Sequence, residues 1–329
     1  MKEIHNCLVI GGDMRQIYMA EALGQAGFTV SLFGFEHLEE TNHVGSGSCR
    51  DYYEALKGKD AVIFPLPLSR DNVSLNAPFA GEEILLADIL HAVESGQIVF
   101  GGMLGEREKQ YLKHRGIEAF DYFAREELTV RNAVATAEGV LQIVIEELPI
   151  TVHGSHALVT GFGRTSKTIC ALLRSLGAQV TVAARKQADL AWAQVEGMHG
   201  VFYEELPAYA GGFDYVVNTV PALVLGGQVL EKLQADCLLV EIASAPGGID
   251  LEAAQARGLK VIKASSLPGK VAPKTAGRII SDTKCHQRGQ RLSQKYTTAA
   301  GLRGGYGLTQ NTAASAPASV DLHERESYT

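Results

Sequence analysis

Residues 157–185, ALVTGFGRTSKTICALLRSLGAQVTVAAR, constrain the fold of this chain more than any other stretch. An apolar run of strand length meets Gly161 and Gly163, a helical period follows, and a second apolar run ends in Arg185. A strand that turns on G-x-G into a helix and returns through a second strand is a parallel βαβ unit, since parallel neighbours need a crossover connection. The first glycine permits a tight turn, and the second lets a pyrophosphate approach the helix N-terminus. A tight βα turn with no ligand is the alternative, and the donors Arg164, Thr165 and Ser166 beside Gly161, Phe162 and Gly163 weigh against it.

Nearly the same layout precedes it at 7–35, CLVIGGDMRQIYMAEALGQAGFTVSLFGF. This copy lacks G-x-G spacing, and Asp13 would repel a pyrophosphate, so its turn reads as a cleft-facing loop. Further strands read at DAVIFPLPLS (60–69), FDYVVNTV (213–220), CLLVEIAS (237–244) and LKVIKAS (259–265), and helix–strand pairs at 81–103 and 107–123. Strands alternating with helices imply parallel sheets with right-handed crossovers. The expected fold class is α/β: two Rossmann-like, doubly wound parallel-sheet lobes joined by a long connecting helix, resembling the 2-hydroxyacid/alanine dehydrogenase layout.

Residues 1–130 then form a substrate-side lobe, 131–149 the connecting helix ended by Pro149, and 150–272 the nucleotide-binding lobe. Residues 273–280 open a return helix with Pro273 in its first turn. Residues 281–329 contain no Ile, Phe or Trp and are rich in Ser, Thr, Gln, Gly and Ala, so they are predicted to be a disordered tail. A polar loop is expected over Glu39–Cys49.

Composition removes several classes. A net charge of −7 is the wrong sign for a nucleic-acid footprint. No uninterrupted apolar run reaches bilayer length, and the N-terminus lacks the pattern of a signal peptide, which argues against a membrane or secreted protein. The five cysteines are scattered with no C-x-x-C pair, as expected of reduced thiols in a cytoplasm with no zinc site, and no metal is expected.

At the end of the second strand, NAD sites usually carry an acidic residue for the ribose. Arg185 stands there instead, which suits a 2′-phosphate and favours NADP (NADPH/NADP+), with NAD still open; a solvated surface arginine is the alternative. Ligands bind at the carboxyl ends of such strands, so Asn218, Thr219, Val220 and Pro221 are expected beside the nicotinamide ribose, with Ala243 and Ser244 on the same edge. Ordinary βα loops are the bland alternative for both.

Six motifs taken together resemble one family. They are GGDMRQ (11–16), NAVATAEG (132–139), GFGRTSKT (161–168), NTVPA (218–222), ASAPGGID (243–250) and LPGKVAPKTAG (267–277). Over residues 1 to about 280 the chain resembles the A subunit of dipicolinate synthase, and the last motif is the most specific. The resemblance implies oxidation of dihydrodipicolinate to dipicolinate, pyridine-2,6-dicarboxylate, with NADP+. It also implies the flavoprotein-like B subunit of dipicolinate synthase as partner, and work in the mother-cell cytoplasm of a sporulating bacterium. Two departures stand out: Ser166 occupies a position where the family commonly has glycine, and the apolar helix after APKTAG gives way to SDTKCHQRGQRLSQKYTT.

A dicarboxylate needs cations and backbone N–H groups. Ser266, Lys274 and Thr275 at the mouth of the return helix, and Asp13 and Arg15 after the opening strand, are the substrate-side candidates, with Arg15 as a carboxylate clamp. Asn132, Thr136 and Glu138 are polar positions on the connecting helix. Lys274 and Glu138 are both candidates for the proton acceptor, and a structural carboxylate is an equal reading of Glu138. A 2-hydroxyacid or amino-acid dehydrogenase is the competing enzyme, although LPGKVAPKTAG lacks the histidine that class usually uses. A nucleotide-binding protein with a regulatory or assembly role is the non-enzyme reading, and a homo-oligomer is compatible with either.

Overall fold

Two parallel sheets, each flanked by helices, make up the computed structural model, which describes residues 4–38 and 51–286. The first lobe contains β1 (Asn6–Ile10), α1 (Met14–Gln25), β2 (Thr29–Phe33), α2 (Tyr52–Leu56) and β3 (Ala61–Ile63). It continues with α3 (Leu86–Ala92), β4 (Ile98–Gly101), α4 (Glu106–His114) and β5 (Glu118–Asp121). The long helix α5 (Glu126–Glu147) leads to the second lobe: β6 (His156–Thr160), α6 (Arg164–Ser175), β7 (Gln179–Ala184), α7 (Gln187–Val195) and β8 (His199–Phe202). There follow α8 (Leu206–Tyr209), β9 (Tyr215–Asn218), α9 (Gly227–Leu230), β10 (Leu238–Glu241), α10 (Leu251–Ala256) and β11 (Lys260–Lys263). Two closing helices, α11 (Leu267–Val271) and α12 (Pro273–His286), return toward the first lobe.

The first sheet has the order β2-β1-β3-β4-β5 and the second β11-β10-β9-β6-β7-β8, with parallel pairing throughout. Both are doubly wound, and both reverse direction beside their opening strand, where such sheets bind ligands. The expected two-lobe architecture is therefore the one observed. β3 stops at Ile63 because Pro65 and Pro67 cannot donate to a ladder. The short helix α2 and the edge strand β8 have too little periodicity to read from sequence.

Each sheet is covered on both faces by apolar side chains. Ala137, Val140 and Val144 of α5 join the second lobe's core, while Leu128 of the same helix joins the first lobe's. α5 begins five residues before the expected boundary, where Glu126 and Glu127 place negative charge in its first turn. It is long and apolar enough to cross a membrane by length and composition alone, with Arg131 and Glu138 interrupting the apolar run. Its small residues Ala133, Ala135, Ala137 and Gly139 are buried, while Val130, Val134 and Ile145 are exposed.

The return helix is longer than its predicted start, reaching His286, with Ile279 and Ile280 in the first lobe's core and Thr283 buried. A Cβ on Gly277 would lie 2.5 Å from the Arg15 carbonyl oxygen and 2.9 Å from the Met19 nitrogen. Glycine there lets α12 seat directly on α1. The disordered tail expected from 281 is thus corrected over 281–286, which is helical because Ser281 and Thr283 are buried and Thr283 Oγ1 donates to the Ile279 carbonyl; the rest of that tail and the expected loop Glu39–Cys49 lie outside the described residues.

Candidate functional site

The second sheet's reversal point lies between β6 and β9, and the glycine turn sits at its carboxyl edge. Gly161 adopts φ +86°, and a Cβ there would meet Thr219 Oγ1 at 2.8 Å and Val220 Cγ2 at 2.9 Å. Only glycine fits. Gly163 is different: it is the N-cap of α6 with an ordinary φ of −85°, and a Cβ would meet nothing within 4 Å. Open space therefore stands over the helix mouth. The first intrahelical bond runs from the Lys167 nitrogen to the Gly163 carbonyl at 2.9 Å, leaving the Arg164 and Thr165 N–H groups without helical partners. Two outward N–H groups, a positive helix end and no side chain in the approach form a cradle that fits a pyrophosphate.

The flanking side chains divide between cleft and interior. Phe162 is buried in the core, so only its backbone faces the turn, and Lys167 Nζ lies 5.1 Å from its ring centroid. Arg164 forms an exposed ion pair with Glu126 at the start of α5. Arg185 is exposed at the end of β7 and has no ion-pair partner among the described residues. Tyr203 follows β8 nearby; burial pushes its hydroxyl pKa up while the Arg185 charge pulls it down.

Three expected cofactor contacts are turned inward. Ser166 is 1% exposed. Its Oγ accepts from the Gly163 nitrogen at 3.3 Å and lies 2.9 Å from Thr219 Oγ1, which donates to the Thr160 carbonyl at 2.7 Å. Asn218 is fully buried, its Nδ2 donating to Glu241 Oε1 at 2.7 Å and to the Val220 carbonyl at 3.0 Å. The Ala243 nitrogen is likewise committed to Glu241 at 3.0 Å. Neither Ser166 nor Asn218 reaches a ligand directly, because their polar atoms are consumed within the protein. Pro221 and Ser244 are exposed on the same edge, with Val220 partly so.

A cavity of about 170 Å³ opens beside the turn, lined by Thr136, Thr165, Thr219, Ile242, Ala264, Ser266, Leu267 and Pro268. It unites four predicted residues from four separate segments: α5, α6, the loop after β9 and the lead-in to α11. Ser266 takes φ +58° there, and Leu267 packs so closely that a Cβ on Gly139 would lie 3.0 Å from its Cδ2. Asn132, one turn before Thr136 on the same helix face, keeps a buried Oδ1 with no hydrogen-bond partner among the described residues.

The remaining predicted residues are placed otherwise. Glu138 is exposed, because two residues along a helix rotate it some 200° from Thr136. It stands outside the cavity lining and is not a buried structural carboxylate. Lys274 is also exposed, its Nζ 6.0 Å from the Tyr18 ring centroid on α1, and with Thr275 it stands outside the cavity lining.

Arg15 is no free clamp. It is 3% exposed and forks onto Asp13, with Nε to Oδ1 and Nη2 to Oδ2 both at 2.8 Å, while Nη2 also donates to the Leu66 carbonyl at 2.5 Å. Asp13 serves besides as the N-cap of α1. A Cβ on Gly269 would lie 2.9 Å from Arg15 Nε, so α11 sits on this ion pair and bridges the carboxyl edges of both sheets.

Two polar side chains at the sheets' carboxyl edges are not among the residues expected from the sequence. Glu241 ends β10 at 8% exposure; an acidic residue closing a wholly apolar strand is the signal that marks it. Arg70 follows β3 on the first lobe's carboxyl edge. Its Nε donates to Asn76 Oδ1 at 3.1 Å, Asn76 in turn holds the Pro67 carbonyl, and no carboxylate pairs with the guanidinium among the described residues.

Residues 6–123 match the family model for the N-terminal domain of the dipicolinate synthase A subunit. The A subunit of dipicolinate synthase from Bacillus subtilis (strain 168) is 32% identical over 279 residues, covering 83% of this chain and 92% of the relative. The crystal structure of the corresponding dipicolinate synthase protein from Bacillus halodurans superposes with a TM-score of 0.77 at 29% identity, covering 85% of this chain and 96% of that one. An L-alanine dehydrogenase structure shares the fold at a TM-score of 0.54 and 13% identity, over 84% of this chain and 87% of that one.

Proposed function

The chain belongs to the family of dipicolinate synthase A subunits, and from that premise we propose that it oxidises dihydrodipicolinate to dipicolinate with NADP+. The reaction removes a hydride and a proton, and the gain of aromaticity drives it. The observation that carries this reading is the open Gly163 helix mouth at the sheet's reversal point, directly beside the Thr136–Thr165–Thr219–Ser266 cavity.

The Gly161–Gly163 turn and the Arg164 and Thr165 N–H groups would hold the pyrophosphate, and the exposed Arg185 guanidinium a 2′-phosphate. When bound, the nicotinamide supplies the hydride acceptor. The protein's own task is to orient the ring in the cavity and exclude competing water. Hydroxyls of Thr136, Thr219 and Ser266 would orient the dicarboxylate. Arg70 is the substrate-side cation, since Arg15 is neutralised by Asp13. No carboxylate lines the cavity among the described residues, so the proton leaves to solvent at the cleft mouth.

The protein works with a flavoprotein-like partner, the B subunit of dipicolinate synthase, in the mother-cell cytoplasm of a sporulating bacterium. Incubation with dihydrodipicolinate and NADP+, with and without that partner, tests the reading. Stoichiometric dipicolinate and NADPH support it. A folded chain that forms neither, even with the partner present, has a binding or assembly role instead.

A further inference from the structure

We infer that Glu241 is a positioning residue for the cofactor edge, locking the loops after β6, β9 and β10 into one hydrogen-bonded unit; this rests on the nucleotide-binding reading proposed above. A buried carboxylate is costly unless its oxygens are satisfied. Glu241 has no ion-pair partner among the described residues, and its donors are all neutral. Oε1 accepts from Asn218 Nδ2 at 2.7 Å and from the Ala243 nitrogen at 3.0 Å, and Oε2 accepts from the Gly248 nitrogen at 2.8 Å.

The chain of bonds continues to the glycine turn. Asn218 Oδ1 accepts from Thr160 Oγ1 and from the Val220 nitrogen at 3.2 Å. Thr219 spends its proton on the Thr160 carbonyl, so the Ser166 hydroxyl donates to Thr219 while accepting from the Gly163 nitrogen. One network thus runs from the pyrophosphate cradle to Gly248. Packing seals it: a Cβ on Gly248 would stand 2.5 Å from the Val220 carbonyl oxygen and 2.6 Å from Asn218 Nδ2. Glu241 is not part of the lining of the cavity beside the turn, yet Ile242 next to it and Thr219 at the far end of its bonds both are.

Glu241→Gln preserves shape but sets an amide donor against donors whichever way it turns. The wild-type protein is first titrated with NADPH by nicotinamide fluorescence, then the variant. The expected result is a folded variant whose NADPH Kd rises about tenfold or more, the loss of one to two such bonds. Amide hydrogen exchange on ligand-free wild-type protein provides a test independent of variant folding: Ala243 and Gly248 should be protected. An unchanged Kd in folded Glu241→Gln, or free exchange at both amides, overturns the assignment alone. Failure of the wild-type protein to bind NADPH overturns the underlying reading and this assignment with it.

Discussion

Alanine at Gly163 should abolish dinucleotide binding without harming the fold, whereas alanine at Gly161 should damage the fold itself. The two positions are two residues apart and differ in what surrounds them. At Gly161 the φ of +86° costs a non-glycine residue about 1–2 kcal/mol. The new methyl would also displace Thr219 Oγ1 from 2.8 Å, endangering its bonds to Thr160 and Ser166 at about 0.5–1.5 kcal/mol each. Gly161→Ala should therefore lose roughly 2–5 kcal/mol. At Gly163 the φ of −85° is ordinary and the methyl meets nothing within 4 Å. Alanine is a poorer N-cap than glycine, but it also restricts the unfolded chain, and the opposing effects leave stability within about 1 kcal/mol. The methyl would nevertheless stand where a pyrophosphate must approach the Arg164 and Thr165 N–H groups. Urea unfolding and NADPH titration of both variants measure the contrast. Wild-type NADPH affinity in folded Gly163→Ala would refute the cradle.

Arg15→Ala should destabilise the protein by about 3–5 kcal/mol, because it leaves Asp13 unpaired beneath α11; chemical denaturation checks this, and a loss under about 1 kcal/mol would contradict it. Glu138→Gln should leave turnover within about twofold, as expected of an exposed side chain off the cleft, and steady-state kinetics would expose a larger role. Arg70→Ala should raise KM for the dicarboxylate with kcat nearly kept, the signature of lost uniform binding; an unchanged KM removes Arg70 from the site. Burial pushes the Cys170 and Cys237 thiols up to about 12 from an ordinary 9.0. Below about pH 9 both folded and unfolded chains keep these protons, so stability is unaffected. Between about pH 9 and 12 the unfolded chain releases protons that the folded chain retains, and stability should fall as pH rises. Unfolding midpoints across that window, compared with the double alanine variant, measure the slope.

Strand runs, glycine turns and the helical period made the two-lobe architecture legible in the sequence, since each is a local pattern with a fixed period. The cleft was legible too: Thr136, Thr165, Thr219 and Ser266 come from four distant segments and meet around one cavity. Misplacements have distinct causes. Glu138 sits two positions from Thr136, and helical rotation alone could have assigned it to the opposite face. Asp13 and Arg15 read as cleft-facing polar residues, but the Leu66 carbonyl and α11 that hold Arg15 on Asp13 are both remote in sequence. Ser166 and Asn218 stand at the expected edge, and only tertiary contacts decide that their polar atoms face inward. Glu241 is a long-range feature, meaningful only once Asn218 and Gly248 are known to converge on it.

Binding of a phosphorylated nicotinamide dinucleotide by the second lobe, through the Gly161–Gly163 turn and Arg185, is the step on which the proposed reaction depends. Titration of the purified protein with NADPH and with NADH, repeated on Arg185→Asp, tests it most directly. Saturable NADPH binding, tighter than NADH binding, is expected, with the preference lost or reversed in Arg185→Asp. No binding of either dinucleotide by a protein shown to be folded would contradict it.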